Sequence, residues 1–352
     1  MSSPAWRTLA LDRGDHGVRI DRVLLRHLRD ERVSRNQIQN WIEAGGVLVN
    51  GAPAPRAAWR VQAGDAVAVR FDPRPPKSRP AAESIPLDAL YEDADLLAIN
   101  KPPGLVVHPS YKNAGGTLMN GVLALARDWP AGSKPALLGR LDKHTSGVVL
   151  ITKSGHVHAA LQRAMDARQV DKDYLAVVWG KPSPARGSID LALDRDPWDR
   201  RRITVTDRGG QPSVTRYERI ATAMRGTAMR GDKPSGLSFS LVRLRLITGR
   251  THQIRVHLAA KGWPIVGDAV YGRKATRIAA SDTAEIARAF SRQALHAWRL
   301  AFRHPVSGKE LSIVAPLPED MGELARALGL PVDIIAHPPD KPEGLSPRKT
   351  GQ

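Results

Sequence analysis

The chain has 352 residues, enough for two domains with a substantial core, and its formal net charge is +18. This excess of Lys and Arg favours a polyanionic partner such as nucleic acid, although a basic proteome or a membrane-surface protein gives a similar balance. The absence of cysteine excludes disulfides, thiolate nucleophiles and cysteine-ligated metals. No apolar run has the length of a signal peptide or a membrane span, so we expect a soluble, cytoplasmic protein with no membrane partner.

A small α+β module is predicted over residues 17–72, after an N-terminal segment of residues 1–16. Two helices are indicated, the first by apolar residues at helical spacing and the second by Ser34, a favourable N-cap. A short strand then enters the turn Asn50-Gly51, a sequence typical of two-residue hairpins. A further alternating strand ends near Val69.

Basic residues line the face of the first predicted helix opposite to its apolar positions, and one more opens the second helix. Acidic residues lie among them, so a solvated helix face is the alternative to an RNA contact. The high net charge favours RNA, because neutralising backbone phosphates is the main source of non-specific affinity. We therefore predict RNA contacts from Arg19, Arg22, Arg26, Arg29 and Arg35.

A Pro-rich, basic linker is predicted over residues 73–86, followed by a larger domain over residues 87–320. In this domain, apolar or alternating runs predict strands over residues 96–100, 174–179 and 242–246, and a helix over residues 251–261. The brief repeat Met224-Arg225-Gly226 and Met229-Arg230-Gly231 predicts a mobile insertion between strands. We expect the tail, residues 321–352, to be partly disordered, because Pro, Asp and Lys dominate its last part.

The most informative segment is Gly139-Arg140-Leu141-Asp142-Lys143-His144-Thr145-Ser146-Gly147. It lies between two apolar runs, and the second run is β-branched and predicts a buried strand. A carboxylate in a glycine-flanked loop just outside a rigid element is well placed for catalysis. For Asp142 taken alone, the alternative is a structural aspartate that accepts hydrogen bonds from turn amides.

The pattern Arg-Leu-Asp-x-x-Thr-Ser-Gly in this segment resembles the signature of the RluA/RluD family of RNA pseudouridine synthases. One position departs from the family, which usually has His where this chain has Gly139, and we interpret this as a change in loop packing. The N-terminal module resembles the small RNA-binding domain first named for a ribosomal small-subunit protein. Further blocks resemble the family in the same order: Pro102 to Pro109, Gly116 to Asn120, Lys172 to Gly180, Thr248 to Leu258, Gln293 to Ala297 and Phe302 to Pro305.

The resemblance implies an α+β pseudouridine synthase fold, with a mixed, mainly antiparallel central sheet, flanking helices and loops, and a central RNA-binding cleft. It also implies the site residues. Asp142 is the expected catalytic carboxylate, Tyr174 the ring against the target uracil, and Arg255 the partner that orients the carboxylate. The phenol of Tyr174 is also a candidate for removing the proton from carbon 5 of the base. Without the family motif, Tyr174 is a core residue and Arg255 a surface or phosphate contact.

Further RNA contacts are expected from Arg140, Arg250 and His252. Pseudouridine formation breaks the bond from ribose carbon 1 to uracil nitrogen 1 and rejoins the base through its carbon 5. No hydride, radical or phosphoryl step is needed, so we expect neither a metal nor an organic cofactor. The alternating His156 and His158 lack an accompanying carboxylate motif and favour solvent or packing roles.

The leading hypothesis is an isomerase that modifies uridines in structured RNA, with large-subunit ribosomal RNA or an assembling ribosomal particle as its partner. The same reaction on transfer RNA is one alternative. A non-catalytic RNA-binding factor for ribosome assembly is another, and a basic nucleoside hydrolase is a third. The joint presence of Asp142, Tyr174 and Arg255 disfavours the second, and the lack of a carboxylate cluster near Asp142 disfavours the third. We expect the enzyme to act as a monomer.

Overall fold

A computed structural model describes residues 6–31, 33–70, 80–109, 113, 115–199, 202–230, 233–272 and 282–333, with backbone alone at 36, 225–230 and 233–236. The chain divides into two compact units, which we call the N-terminal unit (1–79) and the C-terminal unit (80–352). Half of the predicted linker, residues 73–79, lies outside the described residues. No helix within the described ranges is long and apolar enough to cross a bilayer.

The N-terminal unit packs two helices against a four-stranded sheet. Helix α1 (Ile20–His27) and helix α2 (Arg35–Glu43) confirm both predicted helices, and the Ser34 hydroxyl accepts a hydrogen bond from the amide of Gln37 at 3.3 Å. Asn50 and Gly51 are both left-handed, with φ of 53° and 83°, as a two-residue hairpin requires. The sheet has the order β1-β4-β2-β3, with strands β1 (Trp6–Leu9), β2 (Val47–Val49), β3 (Ala52–Pro53) and β4 (Val67–Arg70).

Strand β1 corrects the predicted N-terminal segment, because residues 6–9 belong to the sheet of the N-terminal unit. The strand pairs antiparallel with β4, from Trp6 opposite Arg70 to Leu9 opposite Val67. Leu9 is buried with the apolar side chains of both helices. The sequence does not mark this strand, since only its last side chain faces the core.

The C-terminal unit is built on a large, mainly antiparallel sheet. Its path is β10-β13-β14-β9-β15-β8-β6-β5, with β16 beside β15 and β7 beside β8. The strands are β5 (Asp88–Glu92), β6 (Leu96–Lys101), β7 (Ala136–Leu138), β8 (Ser146–Thr152), β9 (Asp171–Trp179), β10 (Arg186–Asp190), β13 (Val214–Arg230), β14 (Lys233–Leu246), β15 (Leu295–Arg303) and β16 (Glu310–Val314). A separate hairpin joins β11 (Leu193–Arg195) to β12 (Ile203–Val205).

Strand β9 lies inside the sheet, because β14 and β15 pair with its two edges. Residues 175–179 are all buried, which suits a strand covered on both faces. The flanking helices are α3 (Leu118–Leu125), α4 (Gly155–Asp166), α5 (Gln253–Ala260), α6 (Asp282–Ala289) and α7 (Glu319–Ala327). This mixed sheet with flanking helices confirms the predicted α+β class.

The Met-Arg-Gly repeat corrects one expectation, because its described residues belong to a paired strand and not to an insertion. On β13, Met224 and Arg225 pair with β14, as do Met229 and Arg230, whereas Gly231 lies outside the described residues.

The start of the predicted tail is folded, since Met321, Leu324 and Leu330 are buried in the largest apolar cluster. These residues lie on α7 and just beyond it, at a helical spacing that the composition of the later tail obscures. Residues 334–352 lie outside the described residues.

Candidate active site

Asp142 lies in the loop between β7 and β8, and the start of β8 fixes that loop. Gly147 has a φ of 111°, and a Cβ atom built on it would come within 2.1 Å of the carbonyl oxygen of Ala297. Only glycine permits this approach, which allows β8 to pair in parallel with β15. Next to it, the Ser146 hydroxyl lies 3.0 Å from Nδ1 of the buried His296. The glycine at this end of the motif is therefore required by packing.

A buried lysine side chain holds the loop that carries Asp142. The Nζ atom of Lys101, which is fully buried at the end of β6, donates to the carbonyl oxygens of Pro102, Leu105 and Lys143 at 2.7, 2.9 and 3.1 Å. Burial and the charge of Arg292 lower the pKa of Lys101 to about 7, against the opposing charge of Asp142. Sequence reasoning missed Lys101, although a lysine closing an apolar strand was a visible signal.

Arg255, on α5, joins two carboxylates. Its Nη1 donates to Asp142 at 2.9 Å, while Nε and Nη2 donate to the two oxygens of Asp268 at 2.7 and 2.9 Å. Burial alone lowers the pKa of Arg255, but the hydrogen bonds and charges of Asp268 and Asp142 outweigh it and raise the pKa. Asp268 is buried, whereas the Asp142 side chain is 22% exposed. Asp268 therefore fixes the guanidinium through two hydrogen bonds, and the guanidinium in turn orients the carboxylate of Asp142.

Asp268 is itself held by the backbone. Its Oδ1 accepts from the amides of Val270 and Tyr271 at 2.9 and 3.0 Å. Burial raises the pKa of Asp268, but the contacts with Arg255 and these two amides outweigh it and lower the pKa. Sequence reasoning missed this carboxylate. The only signal was an Asp after an apolar run and a glycine, the same arrangement that drew attention to Asp142.

His252 and Tyr271 complete the wall beside Asp142. His252 has a left-handed φ of 54° directly before α5, so the predicted helix begins two residues later than expected. Its Nδ1 lies 2.8 Å from the Tyr271 hydroxyl, and its Nε2 lies 3.8 Å from Oδ1 of Asp142. Burial lowers the pKa of His252, against the charge of Asp142. The Arg255 guanidinium lies 5.0 Å from the centre of the Tyr271 ring.

Tyr174 faces the same space from β9. Burial raises the pKa of its phenol, and the charge of Asp142 raises it further. A cavity of about 500 Å³ is lined by the six site residues that were predicted in the larger domain. They are Arg140, Asp142, Tyr174, Arg250, His252 and Arg255. Residues far apart in the sequence therefore meet in one pocket.

A basic side chain that was not predicted also lines the cavity. Lys172 stands two residues before Tyr174, and burial lowers its pKa. No residue of the described ranges forms a recorded hydrogen bond or ion pair with its ammonium group. A Cβ atom on Gly249 would come within 3.4 Å of Nζ, so the glycine leaves room for this side chain. The cavity therefore offers positive charge next to its carboxylate.

The predicted RNA-binding arginines of the N-terminal unit fall into two groups. Arg19 and Arg35 donate to the fully buried Asp21 at 3.0 to 3.2 Å. Arg26 likewise pairs with Asp12 and with the buried Asp15. Arg22 and Arg29 are exposed, and no ion pair is recorded for them within the described ranges. Three of the five predicted arginines thus have internal partners that the sequence pattern did not reveal.

Two groups of acidic residues and histidine are close enough to hold a metal among the described residues, and neither lies in the cavity. They are Asp12, Asp15 and His27, and Asp93, Asp95 and His304. The carboxylate of Asp15 already bonds Arg26, His27 and the amide of Asp12. In the second group, His304 lies 3.1 Å from Asp93, whose carboxylate accepts from the amides of Asp95 and Leu96. Internal contacts thus occupy the carboxylates of Asp15 and Asp93.

Comparisons with known proteins agree with this architecture. Residues 95–260 match the family model described as RNA pseudouridylate synthase, and residues 18–67 match the S4 domain. An uncharacterized RNA pseudouridine synthase, YlyB, of Bacillus subtilis is 39% identical over 88% of this chain and 94% of its own length. Ribosomal large subunit pseudouridine synthase D of Xanthomonas campestris is 40% identical over 89% of each chain. The solved structure of human RNA pseudouridylate synthase domain containing 4 is 27% identical, with a TM-score of 0.54 over 69% of this chain.

Fold and site together define an RNA-modifying isomerase with a separate RNA-binding domain. The identities and coverages above show that the chain belongs to the RluA/RluD family of RNA pseudouridine synthases, with an S4 domain at its N-terminus. The resemblance drawn from the sequence motifs is confirmed, as is the assignment to enzymes that isomerise uridine in RNA.

Proposed function

We propose that this enzyme converts uridines of large-subunit ribosomal RNA to pseudouridine, with Asp142 as the catalytic carboxylate. The observation that carries the proposal is the arrangement of Asp142, Arg255 and Tyr174 around one cavity. Relatives at 35–40% identity over about nine tenths of this chain are named ribosomal large subunit pseudouridine synthase D, which supports the choice of RNA. The enzyme acts in the cytoplasm as a monomer, on folded RNA or an assembling ribosomal particle.

Pseudouridine formation requires only one correctly positioned carboxylate. Cleavage of the bond between ribose and uracil leaves the sugar electron-deficient, and a carboxylate stabilises or traps such a centre. The departing uracil delocalises its own negative charge and stays in the pocket, so a second acid for the leaving group is not needed. Arg255 fixes one oxygen of Asp142, which leaves the other oxygen, 3.8 Å from Nε2 of His252, for the reacting nucleotide.

Tyr174 supplies a flat surface for the base. A ring stacked on a nucleobase contributes about 1–3 kcal/mol. Because burial and Asp142 raise the pKa of the phenol above its usual value, the hydroxyl stays protonated near neutral pH. This weakens the idea that a phenolate removes the proton from carbon 5 and leaves stacking as the main role of the ring.

The remaining polar groups bind the RNA around the extruded nucleotide. A stacked uridine must leave its helix before an enzyme can reach its glycosidic bond. Arg140, Arg250 and Lys172 line the cavity as phosphate contacts, and His252 lies beside Asp142 as a neutral imidazole. The S4 domain holds structured RNA through its backbone and shape, using Arg22 and Arg29.

Replacement of Asp142 tests the catalytic assignment. Asp142→Asn is expected to lower the single-turnover rate about 1000-fold, in the middle of the range for removal of an acid or base, while RNA affinity changes little. Asp128→Asn, which changes an exposed carboxylate of the same unit, is the matched control and should keep the parental rate. Turnover of Asp142→Asn at the control rate would remove Asp142 from the mechanism.

The RNA target is tested by mapping pseudouridine in total RNA from cells with and without the gene. Loss of specific sites in large-subunit ribosomal RNA is the expected result, and complementation with Asp142→Asn should not restore them. Loss confined to transfer RNA would assign the same chemistry to the other substrate. Restoration of the sites by Asp142→Asn would favour a non-catalytic assembly role.

A further inference from the structure

Trp198 is the most exposed large apolar side chain recorded for the described residues. It is 95% exposed, whereas the next, Val306, is 59% exposed. Single exposed apolar residues are common on protein surfaces, but a nearly fully exposed indole forgoes the large burial that tryptophan normally achieves. A binding partner that covers the ring would recover this burial.

The backbone around Trp198 is ordered by its own hydrogen bonds. Oδ1 of Asp196 accepts from the amides of Trp198 and Asp199 at 2.9 and 3.2 Å, which forms an Asx turn. The amide of Asp196 donates to the carbonyl oxygen of Arg202 at 3.0 Å. The Asx turn fixes the backbone at Trp198, whose indole faces solvent.

The Trp198 turn is anchored on the wall of the active site. It connects β11 to β12, and the amide of Ile203 at the start of β12 donates to the Tyr271 hydroxyl at 3.0 Å. That hydroxyl bonds His252, which lies next to Asp142. Ile203 is the fifth residue after Trp198, so the backbone of Trp198 lies at most about 18 Å of extended chain from this anchor. The nucleotides that flank the target uridine therefore lie within reach of the indole.

A cation lies at the base of the same turn. The Arg202 guanidinium lies 5.6 Å from the centre of the Tyr271 ring. Its Nε has no hydrogen-bond partner within the described part of the chain, and the residue as a whole is partly exposed. A phosphate oxygen of bound RNA can therefore pair with this partly exposed side chain. The turn thus pairs an exposed aromatic ring with a cation, the combination that binds unpaired nucleic acid.

We propose that Trp198 stacks on an unpaired base next to the extruded uridine and that Arg202 contacts the adjoining phosphate. The inference rests on RNA being the substrate of the proposed function but not on the catalytic role of Asp142. The net charge of +18 favours RNA over a protein partner for an aromatic ring beside a guanidinium. The Trp198 turn adds a stacking position outside the cavity to the ring of Tyr174 inside it.

The test measures RNA affinity in a chain that binds without turnover. In the full-length Asp142→Asn background, Trp198→Ala and Trp198→Phe are compared on a 12-nucleotide oligouridylate and on a blunt RNA duplex. Trp198→Ala should weaken oligouridylate binding between about 5-fold and 100-fold and leave duplex binding within 2-fold. Trp198→Phe should stay within about 5-fold of the parent, and Val306→Ala is the control for an exposed apolar side chain.

The alternatives give different results. Unchanged oligouridylate affinity in Trp198→Ala would overturn the proposal, as would an equal loss on the duplex. A defect seen only with ribosomal particles, and not with RNA alone, would assign the indole to a ribosomal protein instead. Unpaired-base binding does not depend on Asp142, so these results stand whatever the turnover of Asp142→Asn shows.

Discussion

Buried aspartates pair with arginines in both units, but with opposite consequences. In the N-terminal unit, the fully buried Asp21 holds Arg19 and Arg35 at the surface, so these ion pairs join parts of the fold. In the C-terminal unit, the buried Asp268 holds Arg255, and Arg255 in turn holds the partly exposed Asp142. The difference is that Arg255 carries its second carboxylate into the cavity, whereas Arg19 and Arg35 share one buried aspartate.

The largest expected effect comes from breaking the buried side of the Arg255 pair. Asp268→Asn leaves a buried guanidinium with one carboxylate, which we expect to cost about 3 kcal/mol of stability. Because Asp142 loses its fixed orientation, kcat should fall about 100-fold with a smaller change in KM. Denaturant unfolding and single-turnover kinetics measure the two effects.

A positioning role for Asp268 predicts more than a general loss of activity. Asp268→Glu should recover part of the rate, and the double variant with Asp142→Asn should be no slower than Asp142→Asn alone. Asp207→Asn, an exposed carboxylate of the same unit, is the matched control. Additive losses in the double variant would contradict action through Asp142.

The two units should lose stability at different acidic pH values, because their buried groups titrate in different pH ranges. Burial lowers the pKa of His296 to about 4, so its contribution is complete above pH 6.5 and is lost as the pH falls to 4. This amounts to about 3 kcal/mol. Burial raises the pKa of Asp21, but Arg19 and Arg35 outweigh it and lower the pKa below 3.8, so its contribution is lost only below that pH.

Hydrogen exchange between pH 6.5 and 4 measures the protection of each unit, once the pH dependence of the intrinsic exchange rates has been corrected. The C-terminal unit should lose protection first, while the N-terminal unit keeps its own. His296→Gln should flatten the pH dependence of the C-terminal unit, since the Nε2 of His296 faces the carbonyl oxygen of Ala315 at 3.2 Å and Nδ1 faces Ser146. An identical pH response in parent and variant would exclude His296 as its source.

A smaller effect is expected from Asp21→Asn in the N-terminal unit. Arg19 and Arg35 are partly exposed and regain water when their partner is lost, so we expect a cost of about 1–3 kcal/mol, confined to this unit. The single-turnover rate constant at saturating RNA should stay within 2-fold of the parent value, because the active site lies in the other unit. Asp30→Asn, an exposed neighbour, is the control, and a large fall in kcat would break the comparison.

The smallest effect is expected from the arginines that have no recorded internal partner. Arg22→Gln and Arg29→Gln should each weaken RNA binding a few-fold and reduce the slope of log affinity against log salt by about 0.7–0.9. Arg35→Gln should change stability more than the salt slope, because its charge is already paired with Asp21. Salt titrations of the three variants measure these slopes. Equal slopes for all three would contradict the distinction between RNA-binding arginines and an arginine that stabilises the fold.

Local patterns predicted much of this structure. Helical spacing, the Ser34 cap and the Asn50-Gly51 turn identified elements of the N-terminal unit, and strand alternation identified β9. These signals depend only on residues that are close in the sequence, so they can be recognised without the structure. The family motifs brought Asp142, Tyr174 and Arg255 to attention, and the structure places them around one cavity.

Residue types and local periodicity, read from the sequence alone, predicted many of the helices and strands, and the resemblance to the family motifs supplied the family and the candidate site residues. The tertiary structure alone decided which charges have partners. Lys101 is far along the chain from Lys143, Asp268 from Arg255, and Asp21 from Arg35, and no local pattern spans these distances. The physical reason is that the role of an ion depends on burial and on the distance to the opposite charge, and folding sets both.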